Sequence, residues 1–166
     1  AIQEMQSMGI ELYMLTGDNE TTARAIAEQT GMKHYKAEVM PQHKAAFVRE
    51  LQQQGKVVAM VGDGINDAPV LARADVGVAM GGLGSDAAIE AADVVLMTDE
   101  PSKLVSAIKI ARKTRHIVMQ NIVFALGIKG VVLLLGAVGI ATMWSAVFAD
   151  VGVTVIAVLN SLRALR

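Results

Sequence analysis

The chain has 166 residues, 53% of them apolar, with a mean hydropathy of +0.44 and a formal net charge of −1. So balanced a charge excludes a broad basic face for nucleic acid, and the absence of cysteine excludes a disulfide framework or a thiolate metal site within this chain. The apolar excess is uneven: residues 1–115 have the composition of a globular α/β domain, whereas 117–162 are almost uncharged, so the length fits one compact domain plus something small.

Ala1–Met8 reads as the middle of an amphipathic helix, with Ile2, Met5 and Met8 on one side, and carries no signal-peptide pattern. The chain is therefore expected to be a segment of a longer protein. Ile10–Leu15 is expected as a strand that ends at Thr16. Asn19 or Thr21 can cap a helix over Thr21–Gln29, which Gly31 stops. Met32–Val39 is ambiguous and could hold a short strand. Pro41 suits the first position of a helix running to about Gln54 and ending at Gly55. Val57–Val61 is a second strand, Ala68–Ala74 a short helix, Val76–Met80 a third strand. Gly81–Gly84 reads as flexible, Ser85 as the cap of Asp86–Ala91, and Val94–Met97 as a fourth strand. Alternation of this kind implies a mostly parallel sheet covered by helices on both faces.

After Pro101 the pattern is helical throughout. Leu104, Val105, Ile108 and Ala111 recur at helical spacing, alongside Lys103, Lys109, Arg112, Lys113 and Arg115. Ile117–Gly139 is then apolar except for Gln120, Asn121 and Lys129, and Trp144–Leu162 except for Asp150 and Asn160. Each has the roughly 20 residues a helix needs to cross a bilayer. Positive residues precede the first span and follow the second (Arg163, Arg166), which predicts both ends in the cytoplasm and the uncharged turn outside, with Trp144 at the outer interface. The competing reading is a helical hairpin buried in a soluble core.

Two sets of residues carry chemistry. In Val61–Pro69, glycines flank Asp63 at the end of a strand, and Asn66 and Asp67 follow. Polar groups outside the carboxyl ends of parallel strands are where α/β sheets bind ligands. Two carboxylates and an amide suit a hard cation such as Mg²⁺ carrying a phosphate. The same residues also make ordinary turns, and the loop alone does not separate the two. The second set is Lys129 with Asp150. An ionisable group in mid-span costs about 2.5–3.5 kcal/mol on insertion scales and so marks a candidate site. A turn near Ile140–Met143 puts Lys129 about 15 Å and Asp150 about 10 Å below the outer face, a difference the lysine stem can bridge. The carboxylate could bind a divalent cation and the ammonium replace it, or the two could form a permanent pair that only holds the helices together.

The nine residues Val61–Pro69 closely resemble the hinge motif of P-type ATPases, a branch of the haloacid-dehalogenase-like phosphotransferases. Met14-Leu15-Thr16-Gly17-Asp18-Asn19 and Pro41-Gln42-His43-Lys44 match two further elements of the family in order and spacing, and the resemblance covers essentially the whole chain. It implies an α/β fold: a Rossmann-like, mostly parallel, partial haloacid-dehalogenase-like sheet over residues 1–100, a connecting helix over 101–116, and a two-helix transmembrane hairpin over 117–163. It also implies roles. Asp63 would ligate Mg²⁺, Asp67 support that site, and Asn66 donate to phosphate. Thr16 and the Gly17 backbone would hold phosphoryl oxygens, Asp18 contact nucleotide or shape the loop, and Lys44 face the phosphate or nucleophile. Mg²⁺ and ATP are the implied cofactors. The family's Asp-Lys-Thr-Gly-Thr nucleophile motif does not occur in these residues. It is expected upstream, so the chain alone should be inactive.

The second half resembles the heavy-metal-transporting branch, and its zinc/cadmium/lead members in particular. The matches are Gln120-Asn121-Ile122, Lys129, Trp144-Ser145-Ala146-Val147-Phe148-Ala149-Asp150 and Asn160-Ser161-Leu162-Arg163. The copper branch would show Tyr-Asn and a Met with paired serines instead. Asp150 would then bind transported Zn²⁺, Cd²⁺ or Pb²⁺, with Lys129 as counter-charge. The implied setting is the bacterial plasma membrane, with residues 1–116 and the C-terminus cytoplasmic. The implied partners are the lipid bilayer and the rest of the same chain: actuator and nucleotide-binding domains and further spans. A membrane-anchored phosphatase of the same superfamily is the alternative. A non-catalytic scaffold is a third, but it leaves Asp63, Asn66, Asp67, Thr16 and Lys44 without a role.

Overall fold

The structure, a computed structural model, describes residues 1–62, 65–81 and 86–165. The elements in order are α1 (Ile2–Ser7), β1 (Tyr13–Leu15), α2 (Glu20–Thr30), β2 (His34–Lys36), α3 (Pro41–Gln53) and β3 (Ala59–Gly62). A 3₁₀ turn (Ile65–Asp67) leads into α4 (Ala68–Leu71), then β4 (Val76–Met80), α5 (Asp86–Ala91), β5 (Val94–Leu96), α6 (Pro101–Ala137) and α7 (Met143–Ser161), with a closing 3₁₀ turn, Leu162–Leu165. The chain divides into two compact units, Ala1–Val105 and Ser106–Arg166.

In the first unit every strand pairing is parallel, as strand–helix alternation requires. The expected single sheet is two. β1 pairs with β2, from Tyr13 opposite His34 to Leu15 opposite Lys36. Separately, β3 pairs with β4 and β4 with β5, placing Val61 beside Val78 and Val78 beside Val94. No ladder joins β1 to β3 among the described residues. The core sits on the three-stranded sheet, where Leu71 of α4, Ala79 of β4 and Ala88 of α5 are fully or almost fully buried and Met60, Ala91, Ala92 and Val95 pack around them.

Several elements are shorter than their apolar runs. Ile10 does not start β1, because its amide bonds back to Met5 O (3.2 Å) to close α1. Val57 is 84% exposed, and the Val58 amide donates to the Asp75 carboxylate (2.8 Å) rather than to a strand, so β3 begins at Ala59. Gly62, expected to end the strand, is its last residue. α4 stops at Leu71, not Ala74. Asn19 caps α2, accepting from the Thr22 amide at 2.9 Å. Pro41 opens α3 as the sequence suggests. The expectations for Gly82–Gly84 and the Ser85 cap lie outside the described residues, as do those for Asp63 and Arg166.

α6 is one helix of 37 residues, about 55 Å long at 1.5 Å per residue. It is unbroken between its basic first part and its apolar second part. α6 and α7 are each long and apolar enough to cross a membrane, and only 6% of the most apolar window of either is buried. Within the described residues the hairpin is therefore not part of a buried core. In the second unit, half-buried positions recur at helical spacing: Asn121, Ala125, Ile128 and Val132 on α6; Ala146, Ala149, Gly152, Ala157 and Asn160 on α7, with Val153 buried among them.

Candidate functional site

In the first unit the site residues follow β1, β2 and β3 along the chain, on a loop, in the first turn of α3 and in the 3₁₀ turn. The turn after β1 is held from within and from outside. Thr16 Oγ1 donates to Asp18 Oδ2 (2.7 Å) and accepts from the Asp18 amide (3.1 Å). The Glu38 amide donates to Asp18 O (2.8 Å) and the Val39 amide to Thr16 O (2.9 Å). To reach them Glu38 takes a left-handed φ of 54°, the one such non-glycine residue among those described. Strained backbone of this kind collects where a loop is held for function. Asp18 is thus bonded to Thr16 within the loop, through its carboxylate and its amide. Gly17 and Asp18 are exposed, and Thr16 is half-buried.

The segment that binds the Thr16 loop runs straight into α3, whose first turn carries Lys44. A lysine there opposes the helix dipole. It is compensated by Asp67, 23 residues on, whose Oδ1 accepts from Lys44 Nζ at 2.9 Å. Both side chains are largely covered, 18% and 12% exposed. Asp67 is the one buried charged residue among those described. Its place depends on Gly62: a Cβ there would lie 2.8 Å from Asp67 Cβ and 2.9 Å from Oδ2. Asn66 is exposed in the preceding 3₁₀ turn. The sequence put Asp67 beside a metal; its described partner is the lysine, and one oxygen stays clear of that bond. Its oxygen chemistry, with the amide of Asn66 beside it, fits a hard cation.

In the second unit Lys129 Nζ lies 3.3 Å from Asp150 Oδ1, so the two ionisable groups of the apolar helices do meet. No cluster of three or more His, Asp or Glu side chains exists among the described residues. Asp150 offers a carboxylate there whose described ionic partner is Lys129. Reasoning from the sequence missed two features. One is the hydrogen-bonded contact between Asn121 and Asn160 (2.8 Å). The other is a pair of carboxylates, Asp75 and Asp93, that clip the starts of neighbouring strands.

Comparison with known proteins gives a consistent picture. Residues 1–75 match the haloacid dehalogenase-like hydrolase family. The chain is 58% identical, over its whole length, to the cadmium, zinc and cobalt-transporting ATPase of Bacillus subtilis (strain 168), covering 24% of that protein. It is 59% identical over 98% of its length to the zinc-transporting ATPase of Synechocystis sp., covering 23%. The crystal structure of a zinc-transporting PIB-type ATPase in the E2.Pi state superposes with a TM-score of 0.93 at 44% identity, over 99% of this chain and 27% of that one. By sequence along its whole length and by fold, the chain matches a part of heavy-metal-transporting P-type ATPases, spanning about a quarter of the length of those relatives.

Proposed function

We propose that this chain is the C-terminal part of an ATP-driven exporter of divalent heavy-metal cations. The observation that carries the reading is the ion pair between Lys129 and Asp150, which joins two apolar helices of one chain that also carries a phosphate-handling domain. An anchor has no use for charge in lipid, which weighs against the membrane-bound phosphatase.

In the first unit, Thr16 Oγ1 and the Gly17 amide would hold phosphoryl oxygens, and Lys44 and Asn66 would donate to them as charge develops in transfer to an aspartate supplied from upstream. Asp67 holds the Lys44 ammonium in place. Asp63 and Asp67 would hold Mg²⁺, which supplies charge neutralisation at the phosphoryl oxygens. ATP would be the phosphoryl donor. β1 and β3 each present an edge unpaired among the described residues, and an upstream strand carrying the nucleophile could add there.

In the second unit, Asp150 would bind the transported cation and Lys129 would occupy the carboxylate once the cation has left. The relatives named above transport cadmium, zinc or cobalt. Zn²⁺, Cd²⁺ and Pb²⁺ are the proposed cargo on the strength of those relatives and of the sequence resemblance, since a carboxylate by itself favours harder cations. Basic residues on the first part of α6 and Arg163 after α7 support cytoplasmic ends in a bacterial plasma membrane. The continuity of α6 supports transmission of domain movement to the ion site. The test is Zn²⁺-stimulated ATPase of the full-length parent. Asp150→Ala should abolish the stimulation, and its retention would remove the ion-site assignment.

A further inference from the structure

We infer that Asn121 and Asn160 are positioning residues for the proposed ion site: their amides lock α7 against α6 in the one register that sets Lys129 opposite Asp150. The inference rests on the export reading above.

Asn121 uses both ends of its amide. Nδ2 donates to Ala157 O (3.2 Å) and to Ser161 Oγ (2.9 Å), and Oδ1 accepts from Asn160 Nδ2 (2.8 Å). Asn160 Oδ1 in turn accepts from Arg163 Nη1 (2.9 Å), and its Nδ2 reaches Gln120 Oε1 at 3.4 Å. Both asparagines are partly buried, with Gln120 and Ser161 in the same network. Apolar contacts between helices tolerate sliding; a paired amide does not, because a shift breaks its hydrogen bonds. Single asparagines fix the register of coiled coils for the same reason.

The spacing links this clasp to the ion pair. Lys129 lies eight residues after Asn121, and Asp150 ten residues before Asn160. In an antiparallel pair these are axial distances of about 12 and about 15 Å. They differ by about 3 Å, within the reach of a lysine stem, so one register satisfies both contacts. A slip of one turn, about 5.4 Å, would break both together.

The consequence is kinetic. For the cation to leave, the Lys129 ammonium must be opposite Asp150 to take its place. A loosened clasp would leave the carboxylate without its replacement, so the cation would bind more tightly and leave more slowly. The measurement is Zn²⁺-stimulated ATPase of the full-length parent in Asn121→Ala, Asn160→Ala, the double variant and Ser161→Ala. The last removes one of the Asn121 hydrogen bonds, together with the Ser161 hydroxyl's own bond to Ala157 O (2.8 Å), and leaves both asparagines in place. The asparagine variants should lower both the half-saturating Zn²⁺ concentration and the maximal rate by about three- to tenfold, the scale of one or two lost hydrogen bonds. The double variant should be no worse than either single one, because they share one network. Ser161→Ala should move both values the same way by less. A raised half-saturation, as general loosening of the fold would give, or no change in any of the four while Asp150→Ala is dead, would overturn the clasp and leave the ion site standing. Zn²⁺ stimulation that survives Asp150→Ala would instead show the ion site to be wrong, and the clasp's role with it.

Discussion

Gly62 shows how narrowly the loop proposed to handle phosphate is built. The atom nearest to an added methyl group would be Asp67 Cβ, at 2.8 Å, and that atom cannot swing away as the end of a long side chain could. Gly62→Ala must therefore move Asp67 and loosen its bond to Lys44. Overpacking of this sort costs about 1–3 kcal/mol. We expect the variant of the full-length parent to lose at least about tenfold in phosphoenzyme formed from ATP, since about 1.4 kcal/mol at the site is a factor of ten. Unfolding should also move to lower temperature. A variant that forms phosphoenzyme as the parent does would show that the close approach has no part in the site. The residue types were readable in the sequence: a strand-end glycine, two carboxylates, an amide. That Asp67 answers to Lys44 was not, because the partners are 23 residues apart and no local pattern encodes that distance.

At the scale of elements, the strands are trimmed by side chains that compete for their backbone groups. Asp75 Oδ2 accepts from the Val58 amide (2.8 Å), while the Asp75 and Val76 amides donate to Val58 O. Asp93 repeats the device one strand along, with Oδ2 accepting from the Gly77 amide (2.8 Å) and its own amide donating to Gly77 O (2.9 Å). The signal was present as Ala-Asp-Val at 74–76 and again at 92–94. The Val58 amide, with the Gln52 side chain second, holds the Asp75 carboxyl below the usual carboxylate range. A lowered folded-state pKa stabilises above the unfolded value, about 3.9, and the contribution is lost as pH falls through the folded value. Asp75→Asn should thus unfold more easily than the parent at neutral pH, and the difference should shrink as pH drops below about 4. Melting curves across that range check it; a difference that grows toward acid would contradict it. Helices were more legible than strands, because Asn19 and Pro41 mark their starts locally.

At the scale of the whole molecule, the two units have opposite needs. Residues 1–105 bury a small core beside a three-stranded sheet, whereas α6 and α7 leave large apolar side chains such as Leu133, Leu134, Trp144 and Phe148 at the surface. Exposed apolar area on that scale calls for lipid or for further helices. The phosphorylated aspartate is likewise proposed to come from upstream chain. Purified in detergent, the chain alone should show no ATP turnover with or without Zn²⁺; turnover would mean that a described carboxylate, not an upstream one, is the nucleophile.

The pentapeptide Ala-Asp-Val-Gly-Val separates what the sequence by itself determined from what only tertiary structure decided. It occurs at 74–78 and at 149–153. The first copy opens strand β4, where a Cβ on Gly77 would meet Leu71 O at 2.7 Å; the second lies inside α7, where Gly152 has open space around it. Five residues carry no preference strong enough to choose, so the choice comes from the flanks, an apolar run bounded by turns in one case and some twenty apolar residues in the other. The sequence by itself therefore determined the order of elements, the division into a globular and an apolar part, and the residue types of both candidate sites. The tertiary structure decided the partners: Lys44 with Asp67, and Asn121 with Asn160. Those are contacts between distant segments, and the free energy that selects them exists only once the segments have been brought together.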